Sequence, residues 1–191
     1  MGRQKNWKSL IKILPKVLRG LKKLKKNIPE AKIYFITNQP GVAIKEFPLL
    51  TEKKAKEVCE FILKKFEREG FKFNGYEICM RASPEYVKRK KGKYTFNKKL
   101  VGNFSCFKPK PGMINNILKK ENLKKSYTKI YVLGDRSSDV KTGLNSKGFG
   151  VLIPSKARPE EKDKAKKLKS KNKYISRNFL DAVKFIIKRE K

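Results

Sequence analysis

The sequence predicts an α/β protein built on a parallel sheet flanked by helices. Three observations carry that expectation. Short apolar runs recur at 31–36, 129–133 and 149–153, each compact enough to be a buried strand. Stretches with apolar residues at helical spacing separate them, so strand and helix alternate, as in βαβ units. The least ordinary side chains follow directly on strands, where open parallel sheets place their working residues.

Taken in order, apolar residues at 7, 10, 11, 14, 17, 18, 21 and 24 predict a helix from Trp7 to Lys26, with a fresh start near Pro15. Ala31–Ile36 is a buried strand. Thr37 to Phe47 is a loop containing Pro40 and Gly41. Thr51 can cap a helix that runs to about Glu69, and Tyr76–Cys79 reads as a strand. Residues 80–107 are basic, polar and far longer than an ordinary connection, which marks a functional or disordered insert. Pro111 opens a helix to about Glu121. A strand follows at Lys129–Leu133, a helix from Ser137 to Ser146, and a strand at Phe149–Ile153. A charged helix over 158–169, a short strand at Lys173–Ile175 and a helix capped by Asn178 complete the chain. The expectation is one domain over 1–191 with an insert at 80–107.

Composition bounds the function. The 191 residues suffice for a real core, and twelve Phe with seven Tyr exclude wholesale disorder. The net charge of +34 draws polyanions, but the lysines are spread along the chain, as a lysine-biased composition would also spread them. Both readings stay open. The first 29 residues hold ten Lys or Arg and no acid; a transit peptide or a membrane-surface helix would look like this, and so would a surface helix packed on a sheet. Three cysteines, Cys59, Cys79 and Cys106, argue against a disulfide scaffold and for a reducing compartment. No run reaches the roughly 20 apolar residues that span a bilayer. The expected location is the cytoplasm.

Three sequences carry chemistry. In Ile36–Ala43 (ITNQPGVA) the Thr37 hydroxyl and the Asn38 amide leave a buried strand, suited to phosphoryl oxygens; a plain turn would use the same residue types. In Cys106–Ile114 (CFKPKPGMI) Lys108 stands just before a helix start, where an anion is welcome. In Tyr131–Asn145 (YVLGDRSSDVKTGLN) Asp135 and Asp139 stand at the end of a strand in a chain with only 17 acids. That pair suits a hard cation such as Mg²⁺, and N-capping is the alternative use of Asp135.

Together the three resemble the haloacid dehalogenase superfamily, in its group of histidinol-phosphate and D,D-heptose bisphosphate phosphatases. TNQPGVA is similar to that group's TNQSGIA, FKPKPGM to RKPxPGM, and GDRSSD to GD-basic-xxD, in the same order. The stretch ILPKVLRGLKKLK also resembles what precedes the second strand there. The resemblance implies a Rossmann-like domain and Mg²⁺-dependent hydrolysis of a small phosphomonoester, with a sugar phosphate as the expected substrate. It implies that Thr37 binds phosphate with Asn38 beside it, that Lys108 neutralises phosphate and nucleophile, that Asp135 is a metal ligand supported by Asp139, and that Arg136 contacts substrate.

Three departures accompany the resemblance. No DxDxT sequence is present, so the first, nucleophile-bearing strand is expected to be missing. The chain by itself is then expected to be almost inactive and to fold poorly. A mis-assigned start, or a split or decayed gene, would explain this, and an in-frame DxDxT just upstream would decide for the first. The group's zinc loop is incomplete: Cys79 and Cys106 remain, but Arg81 and Phe104 stand at the other ligand positions, and the chain has no His, so zinc is not expected. Phe107 replaces the arginine that precedes the motif lysine, which leaves the substrate open. A polynucleotide 3′-phosphatase and a non-catalytic fragment that binds phosphate-bearing ligands or nucleic acid are the alternatives.

Overall fold

The computed structural model describes residues 4–191, and the chain divides into two compact units. The first comprises residues up to Ile13 and Lys32–Phe107; the second comprises Leu14–Ala31 and Lys108–Lys191.

The boundary at Leu14 has a local cause. A residue before proline is pushed out of the helical region, and Leu14 has φ −80° and ψ 125°. The helix expected from Trp7 therefore does not run through. Residues 4–10 form turns, and helix α1 spans Pro15–Asn27. Trp7 and Ile11 are buried in the first unit against Val58, Phe61 and Ile62.

In the first unit, strand β1 (Tyr34–Asn38) pairs in parallel with β2 (Gly75–Cys79), with Thr37 opposite Ile78 and Asn38 opposite Cys79. The strand lies further along than the apolar run suggested, so Thr37 and Asn38 belong to it and not to the loop. Helix α2 (Glu52–Arg68) connects the two strands, and the Thr51 hydroxyl accepts from the Lys54 amide as an N-cap. Phe66, Phe71 and Phe73 close the turn after α2 with edge-to-face contacts.

The 80–107 segment is ordered, not a disordered insert. Ser83 caps the short helix α3 (Pro84–Arg89), and Ala82 bridges Val101 on the return path. That return brings the Cα atoms of Cys79 and Cys106 to 5.4 Å, and the two are joined in a disulfide. The cysteine count argued against a disulfide scaffold and for a reducing compartment. Counting missed the pair because only the folded-back segment makes residues 27 apart in sequence neighbours. Cys59 is free and buried, and burial pushes its thiol up to about 11.

In the second unit the sheet order is β3 (Tyr131–Gly134), β4 (Phe149–Leu152), β5 (Lys173–Ile175), all parallel. Helix α4 (Gly112–Lys120) precedes β3, α5 (Ser137–Asn145) joins β3 to β4, and α6 (Glu160–Lys166) joins β4 to β5. Helix α7 (Phe179–Glu190), capped by Asn178, ends the chain and packs on α1. Val140, Leu152 and Ala165 form the fully buried centre under Leu144, Leu168 and Ile175. Helix α5 lies directly on β4 because two positions lack a side chain: a Cβ on Gly150 would meet the Val140 carbonyl oxygen at 2.2 Å, and one on Gly143 the Phe149 oxygen at 2.3 Å. No helix among the described residues is long and apolar enough to cross a membrane.

Candidate active site

The second unit gathers Lys108, Asp135, Arg136 and Asp139 at the carboxyl end of β3. The strand ends in Gly134, and Asp139 lies one turn into α5. A Cβ on Gly134 would stand 2.2 Å from Asp139 Oδ2, so only glycine lets that carboxylate fold back over the strand end. Both oxygens are then used. Lys108 Nζ lies 2.7 Å from Oδ1, and the Arg136 amide donates to Oδ2 at 3.1 Å. The Lys108 and Asp139 side chains retain only 12% and 7% of their exposure. Each charge is therefore compensated by the other in a poorly solvated place, where an unmatched one would be costly.

Lys108 is held there by its own segment. Asn145, the last residue of α5, donates from Nδ2 to the Pro109 carbonyl at 2.9 Å. The lysine motif and the aspartate motif are thus tied by a side-chain pair and a side-chain-to-backbone bond, although 27 residues separate Lys108 from Asp135.

Asp135 is half-buried and takes the Arg158 guanidinium, Nη1 to Oδ2 at 2.6 Å. Arg136 is exposed. Sequence reasoning overlooked Arg158 and its neighbour Glu161. The Ser137 amide and hydroxyl both donate to Glu161 Oε2 at 2.7 Å, which fastens the start of α5 to α6. Burial pushes the Glu161 carboxyl up, but hydrogen bonds from Lys164 and Ser137 outweigh it and bring it to about 2. The signal was present in the sequence: Glu160, Glu161 and Asp163 are a dense group of acids in an acid-poor chain.

Thr37 and Asn38 belong to the first unit, as the last two residues of β1. Gln39 donates from Nε2 to the Thr37 hydroxyl at 3.2 Å, and its amide extends the pairing to the Cys79 carbonyl at 2.7 Å. The turn after them, Pro40–Ala43, is clasped by the 80–107 segment. The Lys45 amide donates to Thr95 O, the Asn97 amide to Ala43 O, and the Thr95 amide and hydroxyl both donate to Glu46 Oε1. The motif loop and the insert therefore form one structure within this unit.

As a metal centre the second unit offers little but suitable material. Among the described residues no group of three or more His, Cys, Asp or Glu is gathered. Mg²⁺ does not require one: it keeps several waters and takes one or two carboxylates together with substrate phosphate oxygens. The hard oxygens of Asp135, supported by the neighbouring Asp139, fit that demand. Soft thiolates for zinc are not set out, since Cys79 and Cys106 are bonded to each other.

No family model matches the chain. It is 30% identical over 127 residues to D-glycero-beta-D-manno-heptose-1,7-bisphosphate 7-phosphatase of Helicobacter pylori, which covers 64% of this chain and 58% of that protein. It is 34% identical over 120 residues to the histidine biosynthesis bifunctional protein HisB of Buchnera aphidicola, covering 63% of this chain and 27% of that one. The chain thus spans between about a quarter and six-tenths of the length of these curated relatives. In fold it is similar to a D,D-heptose 1,7-bisphosphate phosphatase from B. bronchiseptica solved with magnesium and phosphate. The TM-score is 0.65 at 15% identity, over 92% of this chain and 84% of that one. A HAD-like phosphatase from Mesorhizobium loti gives a TM-score of 0.59 at 18% identity, over 76% and 62%.

Proposed function

We propose that this chain, a relative of the haloacid dehalogenase phosphatases in their histidinol-phosphate and heptose-bisphosphate group, carries the phosphate- and cation-holding part of a phosphomonoesterase. Its substrate is a small phosphorylated metabolite, with a sugar phosphate the best fit. The observation that carries this reading is the buried Lys108–Asp139 pair beside Asp135 at the end of β3. The Lys108 ammonium, held by one carboxylate beside a second carboxylate that a half-buried arginine occupies, can grip a phosphoryl group and its counter-ion together.

In this reading Asp135 would hold Mg²⁺, which would supply charge neutralisation at the phosphoryl oxygens. Lys108 places a second positive charge against the phosphate, and Asp139 orients Lys108 and the Arg136 amide. Within the first unit Thr37 and Asn38 are donors of the kind that phosphoryl oxygens accept from, and within the second Arg136 offers a substrate contact from its exposed position. Arg158 is the resident partner of Asp135 and would compete with a cation for its carboxylate.

Clamps of this kind stabilise transferred phosphoryl but do not attack it. The 191 residues contain no DxDxT sequence to supply the attacking carboxylate. The chain alone is therefore expected to turn over nothing measurable. The test is a phosphate-release assay with Mg²⁺ on sugar phosphates, run on this chain and on one extended upstream through an in-frame DxDxT. Turnover by the extended form, abolished by Lys108→Ala, supports the reading. Mg²⁺-independent turnover, or turnover indifferent to Lys108→Ala, overturns it.

A further inference from the structure

The charge on this protein is not evenly neutralised. In α2, Glu52, Glu57, Glu60 and Glu67 stand among the lysines, and Lys54 pairs with Glu57. In α6, Lys164 and Lys166 pair with Glu161 and Asp163. Helix α1 has no acid at all.

Its cations are also sorted by face. At 100° per residue, Lys16, Arg19, Lys22, Lys23 and Lys26 fall within about 120° of arc. All five are exposed. The opposite arc holds Val17, Gly20, Leu21 and Leu24, and it is spent on α7. A Cβ on Gly20 would stand 2.6 Å from the Phe179 ring, so the two helices touch backbone to ring. The basic face is thereby a rigid stripe, about 15 Å from Lys16 to Lys26 at 1.5 Å per residue, mounted on a packed helix pair.

We infer that this face of α1 is a docking surface for the phosphate backbone of duplex nucleic acid, gripped without reading its sequence. Charge complementarity selects a polyanion. The mounting selects among polyanions. A helix that binds a bilayer must sink its apolar face into it, and here that face is already buried against α7. Single strands are held by stacking bases on aromatic rings, and α1 carries none. A regular row of phosphates facing a regular row of cations needs neither.

The test measures binding of the full chain to a fluorescein-labelled 20-base-pair duplex by anisotropy, across a salt series. Five phosphate contacts predict a slope of log K against log salt of roughly −4 to −5. The variant K16Q/K23Q/K26Q is expected to shallow that slope by about 3 and to weaken binding more than tenfold near 0.1 M salt. The control K53Q/K56Q/K64Q removes three exposed cations from α2 and should change neither by much. Both variants are checked by circular dichroism and thermal melting, and R19Q/K22Q provides a second α1 variant should the triple one fold badly. Equal weakening by the α1 and α2 variants would show that only total charge matters and would overturn the proposal. So would binding to phosphatidylserine vesicles that depends on α1 and exceeds binding to duplex, or a single strand bound more tightly than the duplex.

Discussion

At the scale of single residues, the site depends on one absent methyl group and one buried ion pair. Gly134→Ala puts a Cβ where Asp139 Oδ2 stands, so the carboxylate must leave both Lys108 and the Arg136 amide. The expected result is a loss of about 2–4 kcal/mol in urea unfolding, the range for breaking a buried polar contact with strain added. Lys108→Met leaves Asp139 buried without its counter-charge and is expected to cost roughly 3–5 kcal/mol in the same measurement. Arg158 acts in the other direction. On the proposed Mg²⁺ role of Asp135, Arg158→Ala removes the ion pair that would compete with the metal, so the Mg²⁺ midpoint for raising the melting temperature should fall about two- to five-fold, the worth of an exposed pair. An unchanged midpoint would remove Arg158 from the account. Glu161 gives a pH signature. Its folded value is depressed to about 2 from an ordinary 4.5, so its contribution is present in full above 4.5 and is lost as pH falls toward 2. Glu161→Gln should flatten the stability profile in that window and leave it unchanged at neutral pH apart from a constant offset.

At the scale of elements, caps and approach distances decide. The expected starts at Thr51, Ser137 and Asn178 all hold, because a side-chain oxygen or a helix start at these positions has few competing uses. Lys147, just past α5, sits at φ 59°, a left-handed conformation that glycine adopts without cost. Lys147→Gly is expected to raise stability by about 1 kcal/mol, read as a shift in the denaturation midpoint. The disulfide belongs to this scale too. A bridge across 27 residues restricts the unfolded chain, and loop-closure entropy gives a contribution of about 3–4 kcal/mol. Reductant should lower the melting temperature of the natural chain and leave that of a Cys79→Ser, Cys106→Ser double variant unmoved. The same segment clasps the loop after Thr37 through Thr95 and Asn97, so the double variant is also expected to loosen that loop, visible as faster amide exchange at Val42–Ile44.

At the scale of the whole molecule, two parallel sheets carry the motifs, one in each compact unit. Within each unit the candidate residues stand at the carboxyl ends of strands: Thr37 and Asn38 on β1, Asp135 after β3. Strand β1 pairs only with β2, and β3 only with β4, among the described residues. Strands with an open edge are prone to pair with other chains.

The sequence alone was enough for the alternation of strand and helix and for the parallel class, since periodicity survives in one dimension, and its local motifs singled out Thr37, Lys108, Asp135 and Asp139 as candidates. It also displayed an acid-free, basic stretch over the first 29 residues with a helical pattern from Trp7 to Lys26. The Lys108–Asp139 pair, the Arg158 counter-ion, the Glu161 brace and the Cys79–Cys106 bond were decided by tertiary structure. Each joins residues from separate elements, and closeness in space across a loop follows from where the chain turns back, which local preference does not encode.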